Sequence, residues 1–474
     1  MVLDILILNG VVITMEGKGL GIIEKGAVGI KDNKIEVVGE SREVEKNHTA
    51  HRYIDATGKV VMPGLIDAHI HTGIGILKGL SQDVDNWMQK GLWPFTKALT
   101  QEAKVKGSMV NIMEGLKAGT TTFCDYDEPM LDIVKNHATL GTRARVAETV
   151  NEMPADLSGL KIGDVYPLDP SIGQQKLQKA MKLVDNWHHQ QNGRITCLFG
   201  PQGPDMASKE LLLEIKDLAI KHQTKIHMHV AQGDREINQM IKRFGKRSIQ
   251  YLDEIGYLDE YLMAVHLTEA TKEETRLLAK KGASMILCSG SIGIIDGIVP
   301  PAFEFLEVSD KLALGSDQAP GNNCNNMFNE MKFTAILNKC KRQDPTIFPA
   351  WKVLKLATID AAKAIGLDHE VGSLTSGKKA DIIIIDFNEP ALFPLVNYPV
   401  RNVVPNIVYS AKGSEVETVI IDGRIIVDNK TITTVDERQV VKEAHKHAVE
   451  ICNKAAEGIT EDNNMFKMMQ EGLL

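Results

Sequence analysis

Two histidines one residue apart close the apolar run VMPGLIDAHIH at residues 61–71, and the pairing recurs further on. His69 and His71 stand here, His227 and His229 in KIHMHVAQ. On a β-strand, residues two apart point to one face, so each pair projects two imidazoles from the same side. A single histidine, His266, ends LMAVHL, and Asp317 ends LALGSDQ. Taken alone, a strand-end histidine reads as a hydrogen-bonded structural residue. Several imidazoles and one carboxylate in one place are a ligand set for Zn²⁺ or Fe²⁺, and a set with an open position suits catalysis.

These residues lie far apart in the chain, so something must bring strand ends to a common rim. Eight short apolar, β-branched runs do this on paper: VVMPGLIDAHIH, TTTFCDY, TRARVAETV, ITCLFGPQG, KIHMHVA, YLMAVHLT, ASMILCSG and KLALGSDQ. Between them lie segments of helical period, such as QEAKVKGSMVNIMEGLKAG, QKLQKAMKLVDNWHHQQ and SKELLLEIKDLAIKH. The alternation predicts an α/β fold, a (β/α)₈ TIM barrel over residues 63–371, whose carboxyl strand ends converge on one mouth. A doubly wound open sheet is the alternative, but no GxGxxG follows the first of these strands. Residues 1–62 and 372–432 read instead as short strands with tight turns (KDNK, ATGK), which predicts one small discontinuous β-sandwich domain built from both flanks. Residues 433–474 read as a C-terminal helical extension.

Composition bounds the rest. The 474 residues are 43% hydrophobic and 24% charged, with a net charge of −8. Lys and Arg are scattered, so nothing resembles the footprint of a nucleic-acid binder. No apolar run approaches the ~18 residues of a membrane span, and the N-terminus reads as a first strand rather than a signal peptide. The six cysteines form no CxxC pair, which fits free thiols and a cytoplasmic location. The long C-terminal helix makes a homo-oligomer the expected state.

The motifs together carry a resemblance. PGLIDAHIH, EGLKAGTTTFCD, IHMHVA, VHLT, GSDQAPGNN, ATIDAAKAIGL and VGSLTSGKKADIIIID, in this order, resemble the amidohydrolase superfamily over nearly the whole chain. Within it, KGLSQDVDNWMQKGLWPF at residues 78–95 is similar to the branch of cyclic-amidine deaminases and triazine hydrolases. The resemblance implies His69, His71, His229 and Asp317 as ligands of one divalent metal, Zn²⁺ or Fe²⁺, with His227 on the opposite or packing side. One metal is implied because the strand-four run ITCLFGPQG lacks the bridging lysine of binuclear members. His266 would polarise the substrate or support the metal from behind, and Asp317 would move protons. The implied activity is hydrolysis of a C–N bond in a small N-heterocycle, a purine-, pterin- or triazine-like ring.

Two departures stand out. Deaminases of the branch read HxxE on strand five, where the Glu protonates a ring nitrogen; this chain has His229-Val230-Ala231-Gln232. An amide hydrogen-bonds but does not shuttle a proton. The strand-four end, often PHxP, is Pro201-Gln202-Gly203-Pro204. Glu128 or Glu236 could supply the missing acid, Asp317 alone could suffice, or the reaction could be ring opening of a cyclic amide, ureide or purine lactam. A barrel that only binds is the third reading. Candidate substrate contacts are Gln202, Gln232, His266 and Trp87, the last by stacking on a flat ring.

Overall fold

The computed structural model describes residues 1–84, 87–154, 163–456, 459 and 464–474. The expected loop at 78–95 and extension at 433–474 therefore each include residues outside those described.

Both flanks of the chain meet in one nine-stranded sheet. Lys59–Pro63, the last strand before the middle region, pairs antiparallel with Ile382–Asp386, the first one after it. All nine strands of the expected β-domain are linked by hydrogen bonds into this one sheet, and the link has a local cause. The 12-residue strand Val2–Ile13 pairs in parallel with Thr49–Asp55 through its first half and with Lys59–Pro63 through its second. Between the halves the register shifts, and Asn9 adopts φ of 65°. A bulge of this kind bends a strand and strengthens its twist. Gly10 follows there because a β-carbon would press within 2.9 Å of the Ala56 and Val61 side chains.

The middle region is parallel. Leu65–His71, Thr120–Asp127 and Arg143–Val150 pair in sequence, followed by Ile195–Cys197 and Gly200–Pro201. Ile226–Val230, Leu262–His266, Ser284–Leu287 and Leu312–Leu314 form a second parallel set. Each expected apolar run thus carries a strand. The sets meet on one side where Phe199 bridges to Ile226 and the His227 amide donates to the Phe199 carbonyl at 2.8 Å. On the other side the chain leaves Ser284–Leu287 after Leu314 and joins Leu65–His71 through Asp317–Gln318. A buried cluster drawn from strands of both sets, Cys124, Tyr126, Met263, Val265 and Ile286 among them, lies between them.

Helices cover the strands and start where their caps dictate. Thr100, Asp169 and Ser208 accept from backbone N–H groups at the starts of Gln101–Lys117, Pro170–Trp187 and Lys209–Lys221. Thr271 and Glu274 form a reciprocal capping box at Lys272–Lys280. The C-terminal helix Glu437–Ala455 packs on Gln101–Lys117 through the pairs Lys106–Glu443 and Lys117–Glu437. No helix among the described residues is long and apolar enough to cross a membrane.

Candidate metal centre

Four strand ends supply the centre: His69 and His71 from Leu65–His71, His229 from Ile226–Val230, His266 from Leu262–His266, and Asp317. Their ligand atoms converge. Those of His69, His229 and His266 lie within 4.8 Å of one another, as do those of His69, His71 and Asp317. Asp317 Oδ1 stands 3.4 Å from Nε2 of both His69 and His71. The His229 ring stacks between His71 and His266, with centroids at 5.4 and 5.3 Å. Strand ends that must aim side chains at one point need unusual backbone, and Ala231, His266, Leu267 and Asp317 all have positive φ (52°, 77°, 58° and 59°). Such conformations persist where surrounding structure enforces them, and they gather at functional sites.

Hydrogen bonds fix the rings. His229 Nδ1 bonds the Gln202 carbonyl at 2.8 Å, so this nitrogen donates and Nε2 keeps its lone pair toward the centre. His69 Nδ1 lies 2.8 Å from His227 Nε2. His227 is therefore packed, fully buried, against His69, on the packing side of the two expected for it. Ser291 Oγ donates to Asp317 Oδ2 at 2.6 Å, which leaves Oδ1 facing the imidazoles. Asp67, just upstream, accepts from both the amide and the hydroxyl of Ser316 and so ties the first strand to the segment that carries Asp317.

Burial sets the charge states. It lowers His69 and His229 well below the ordinary imidazole value, His227 to about 3 and His266 to about 4, so all four rings are neutral donors near pH 7. Burial alone would raise the Asp317 carboxyl, but its close approach to the His69 ring, with His266 and His71 beside it, holds it well below the usual carboxylate range. Nε2 of His69 and both ring nitrogens of His266 are buried without a hydrogen-bond partner among the described residues. Buried polar atoms are normally satisfied, and nitrogens left bare and pointing at a shared centre fit a divalent cation of the Zn²⁺ or Fe²⁺ class.

A cavity of about 220 Å³ opens over this centre, lined by His71, Tyr126, Gln202, His229, Gln232 and Asp317, and further out by Lys104, Glu128, Asn151, Asp205 and Arg235. Gln202 and Gln232 thus both line the cavity over the centre. His266 is not among the residues that line the cavity; its ring stacks on His229 at 5.3 Å between centroids. Trp87 does not line it either. It is buried with Leu77, Leu92, Phe95, Ile451 and Ala455, so the C-terminal helix covers the ring expected to stack on substrate. Glu236, one candidate for the missing acid, lines the cavity but is engaged as a clip. It accepts from the amides of Ala231 and Gln232 at 2.7 and 2.9 Å and from Ser248 Oγ at 2.5 Å, and burial raises it to about 7. Tyr126, Ser291 and the His227–His69 bond were not singled out from sequence. Tyr126 had a signal, a residue two beyond Cys124 on an inward strand face, whereas Ser291 comes from a helix whose approach no local pattern shows.

Comparison with known proteins agrees with this geometry. Residues 60–426 match the amidohydrolase family. The chain is 33% identical to a 5-methylthioadenosine/S-adenosylhomocysteine deaminase of Thermoanaerobacter pseudethanolicus, over 94% of this chain and 99% of that one. It is likewise 33% identical to a 5'-deoxyadenosine deaminase of Methanosarcina mazei, over 94% and 98%. Among solved structures, an adenosine deaminase from Xanthomonas campestris with bound zinc superposes with a TM-score of 0.87 at 25% identity, covering 95% of this chain and 99% of that one. The zinc complex of atrazine chlorohydrolase from Arthrobacter aurescens shares the fold at TM-score 0.82 and 19% identity, over 94% and 100%. The chain belongs to the amidohydrolase family.

Proposed function

We propose that this chain is a mononuclear metal-dependent aminohydrolase that removes the exocyclic amino group from an adenine-type ring in a small nucleoside. The observation that carries the reading is the convergence of His69, His71, His229, His266 and Asp317 beneath a cavity, with bare nitrogens aimed at one point. The choice of ring follows the relatives, whose names describe deaminases of adenosine-like nucleosides. His69, His71, His229 and Asp317 would hold the metal, with zinc the first expectation because a structural relative carries it. Bound there, a divalent cation supplies a water acidified toward neutrality. Asp317, ionised and steadied by Ser291, accepts the proton of the attacking water and delivers it to the departing amino group. One C–O bond forms, one C–N bond breaks, and ammonia leaves. His266 supports the centre from behind His229, and Gln232 orients the ring by hydrogen bonding.

The scaffold implied is a closed (β/α)₈ barrel over residues 63–371. The Phe199–Ile226 bridge and the shared 312–318 segment support closure. A β-domain from residues 1–62 and 372–432 completes the design, in a homo-oligomer.

Gln232 favours a second reading, ring-opening hydrolysis of a cyclic amide, because no group at that position protonates a ring nitrogen. One experiment separates them. The zinc-loaded protein is incubated with 5'-deoxyadenosine, 5'-methylthioadenosine and S-adenosylhomocysteine, and with cyclic ureides and lactams. Ammonia from the nucleosides supports deamination, and stoichiometric acid formation from the lactams supports ring opening. A Gln232→Glu variant that gains the former and loses the latter would show that residue 232 sets the choice.

A further inference from the structure

An amide side chain reads a ring in opposite senses according to which end it presents, and for Gln202 that end is fixed by its neighbours. Asn151 Oδ1 lies 3.0 Å from Lys176 Nζ and 3.0 Å from the Met153 amide. Both of these groups only donate, so this atom of Asn151 is the oxygen and its other terminus is the NH₂. That NH₂ donates to Gln202 Oε1 at 2.5 Å. The Gln202 oxygen is therefore occupied, and its own NH₂ has no partner among the hydrogen bonds of the described residues. The main chain of Gln202 is equally held: its amide donates to the Val150 carbonyl at 2.9 Å, and its carbonyl accepts from His229 Nδ1 at 2.8 Å. Asn151 is buried and Gln202 lines the cavity.

We infer that the Lys176–Asn151–Gln202 chain locks the Gln202 amide with its NH₂ toward the substrate, so that the site selects a ring bearing a hydrogen-bond acceptor at that edge. The acceptor is an unprotonated ring nitrogen or a ring carbonyl. Gln202 is the specificity-determining residue, and Asn151 is a positioning residue that acts through it. A ring presenting N–H at this edge meets a second donor and is rejected. This inference rests on the nucleoside reading proposed above and narrows it to rings with an acceptor in that place.

The test uses the zinc-loaded protein and purine nucleoside lacking the exocyclic amine, which binds without losing ammonia. Affinities are measured for the parent ring and for its 1-deaza, 3-deaza and 7-deaza counterparts, each with one ring nitrogen replaced by C–H. Wild type is expected to penalise at least one of the three by roughly tenfold to a hundredfold, the worth of one hydrogen bond from a buried neutral donor. In Asn151→Asp, Lys176 and Met153 keep one carboxylate oxygen, and the other draws the Gln202 NH₂ away from the ring. The penalty then falls to within about threefold. Gln202→Leu, which adds no charge, gives the same loss of discrimination and guards against misfolding of the Asp variant. Metal content and thermal midpoint are recorded for each. A set of penalties left unchanged in both variants overturns the inference, as does a wild type that penalises no ring nitrogen. Binding of none of the four rings overturns the purine reading and the acceptor assignment together.

Discussion

His227 lies behind the centre, so its removal separates support of the metal from chemistry on the substrate. Its Nε2 is 2.8 Å from His69 Nδ1, and both rings are fully buried. In a His227→Leu variant, of similar bulk, His69 Nδ1 loses its partner in a place that water does not reach. A buried polar atom stripped of its bond costs about 1–3 kcal/mol. The variant also removes His227 Nδ1, itself buried and without a partner, which offsets part of that cost, so a loss of about 1–2 kcal/mol in the metal-free protein is expected. The His69 ring is then free to rotate, and loss of such an orienting partner weakens metal binding by about tenfold to a hundredfold. Chelator competition measures the affinity, and urea unfolding of metal-free protein measures the stability. At saturating zinc, kcat should stay within about threefold of wild type, because His227 does not line the cavity. An unchanged zinc affinity with a large fall in kcat would refute the reasoning, since it would place His227 at the substrate.

Asp317→Asn keeps the size of the side chain and removes the proton acceptor; kcat should fall by about 10²–10⁴, while thermal stability, with Ser291 Oγ still bonded, changes little. Dialysis against a chelator should abolish activity and re-addition of zinc restore it, read by ammonia release. Burial raises Glu330, bonded to Gly290 and Asn322, from 4.5 to about 8. The folded state keeps a proton that the unfolded chain has lost, so this group makes stability fall as pH rises from 4.5 to 8, by up to about 5 kcal/mol. Glu330→Gln should flatten that slope in urea unfolding measured at a series of pH values, and an unchanged slope would count against it. Trp87→Ala empties the apolar contact under the C-terminal helix and should cost about 3–5 kcal/mol, with faster proteolysis of residues 437–455 as its signature.

The legible part of the site was the part governed by strand period. His69, His71, His229 and Asp317 could be placed at one rim because alternation along a strand fixes the face and a parallel barrel fixes the end. The same rule puts His227 with His229, and its buried ring packs against His69. Trp87 was open because the cover over its face, Ile451 and Ala455, arrives from the far end of the chain. In the flanking domain, the Asn9-Gly10 pair inside a long apolar strand was the visible sign of a bulge. Its consequence, one long strand shared by two parallel partners, depends on which strands pair with each half. Ser291 and the Asn151–Lys176 relay depend wholly on tertiary packing.

The glutamine at position 232 makes sense in terms of the carboxyls already around it. Glu236 sits one helical turn on, is raised to about 7 by burial with Asp205 adding like-charge repulsion, and spends its oxygens holding the left-handed Ala231 turn. Asp205 is buried and committed to Arg235 at 2.9 Å. A further carboxyl at 232 would crowd a third acid into this corner, and at neutral pH one of them would have to stay protonated. An enzyme that needs a proton for its ring nitrogen gains from that arrangement; one that does not is better served by an amide. The amide leaves undisturbed the turn that the Ala231 and Gln232 backbone N–H groups make with Glu236, adds no charge, and would leave ring recognition to hydrogen bonds whose direction neighbouring groups can set, as Asn151 sets it for Gln202. On the proposed reading the chemistry of this pocket would be divided, with proton movement left to Asp317 at the centre and selection to the two amides that line its wall.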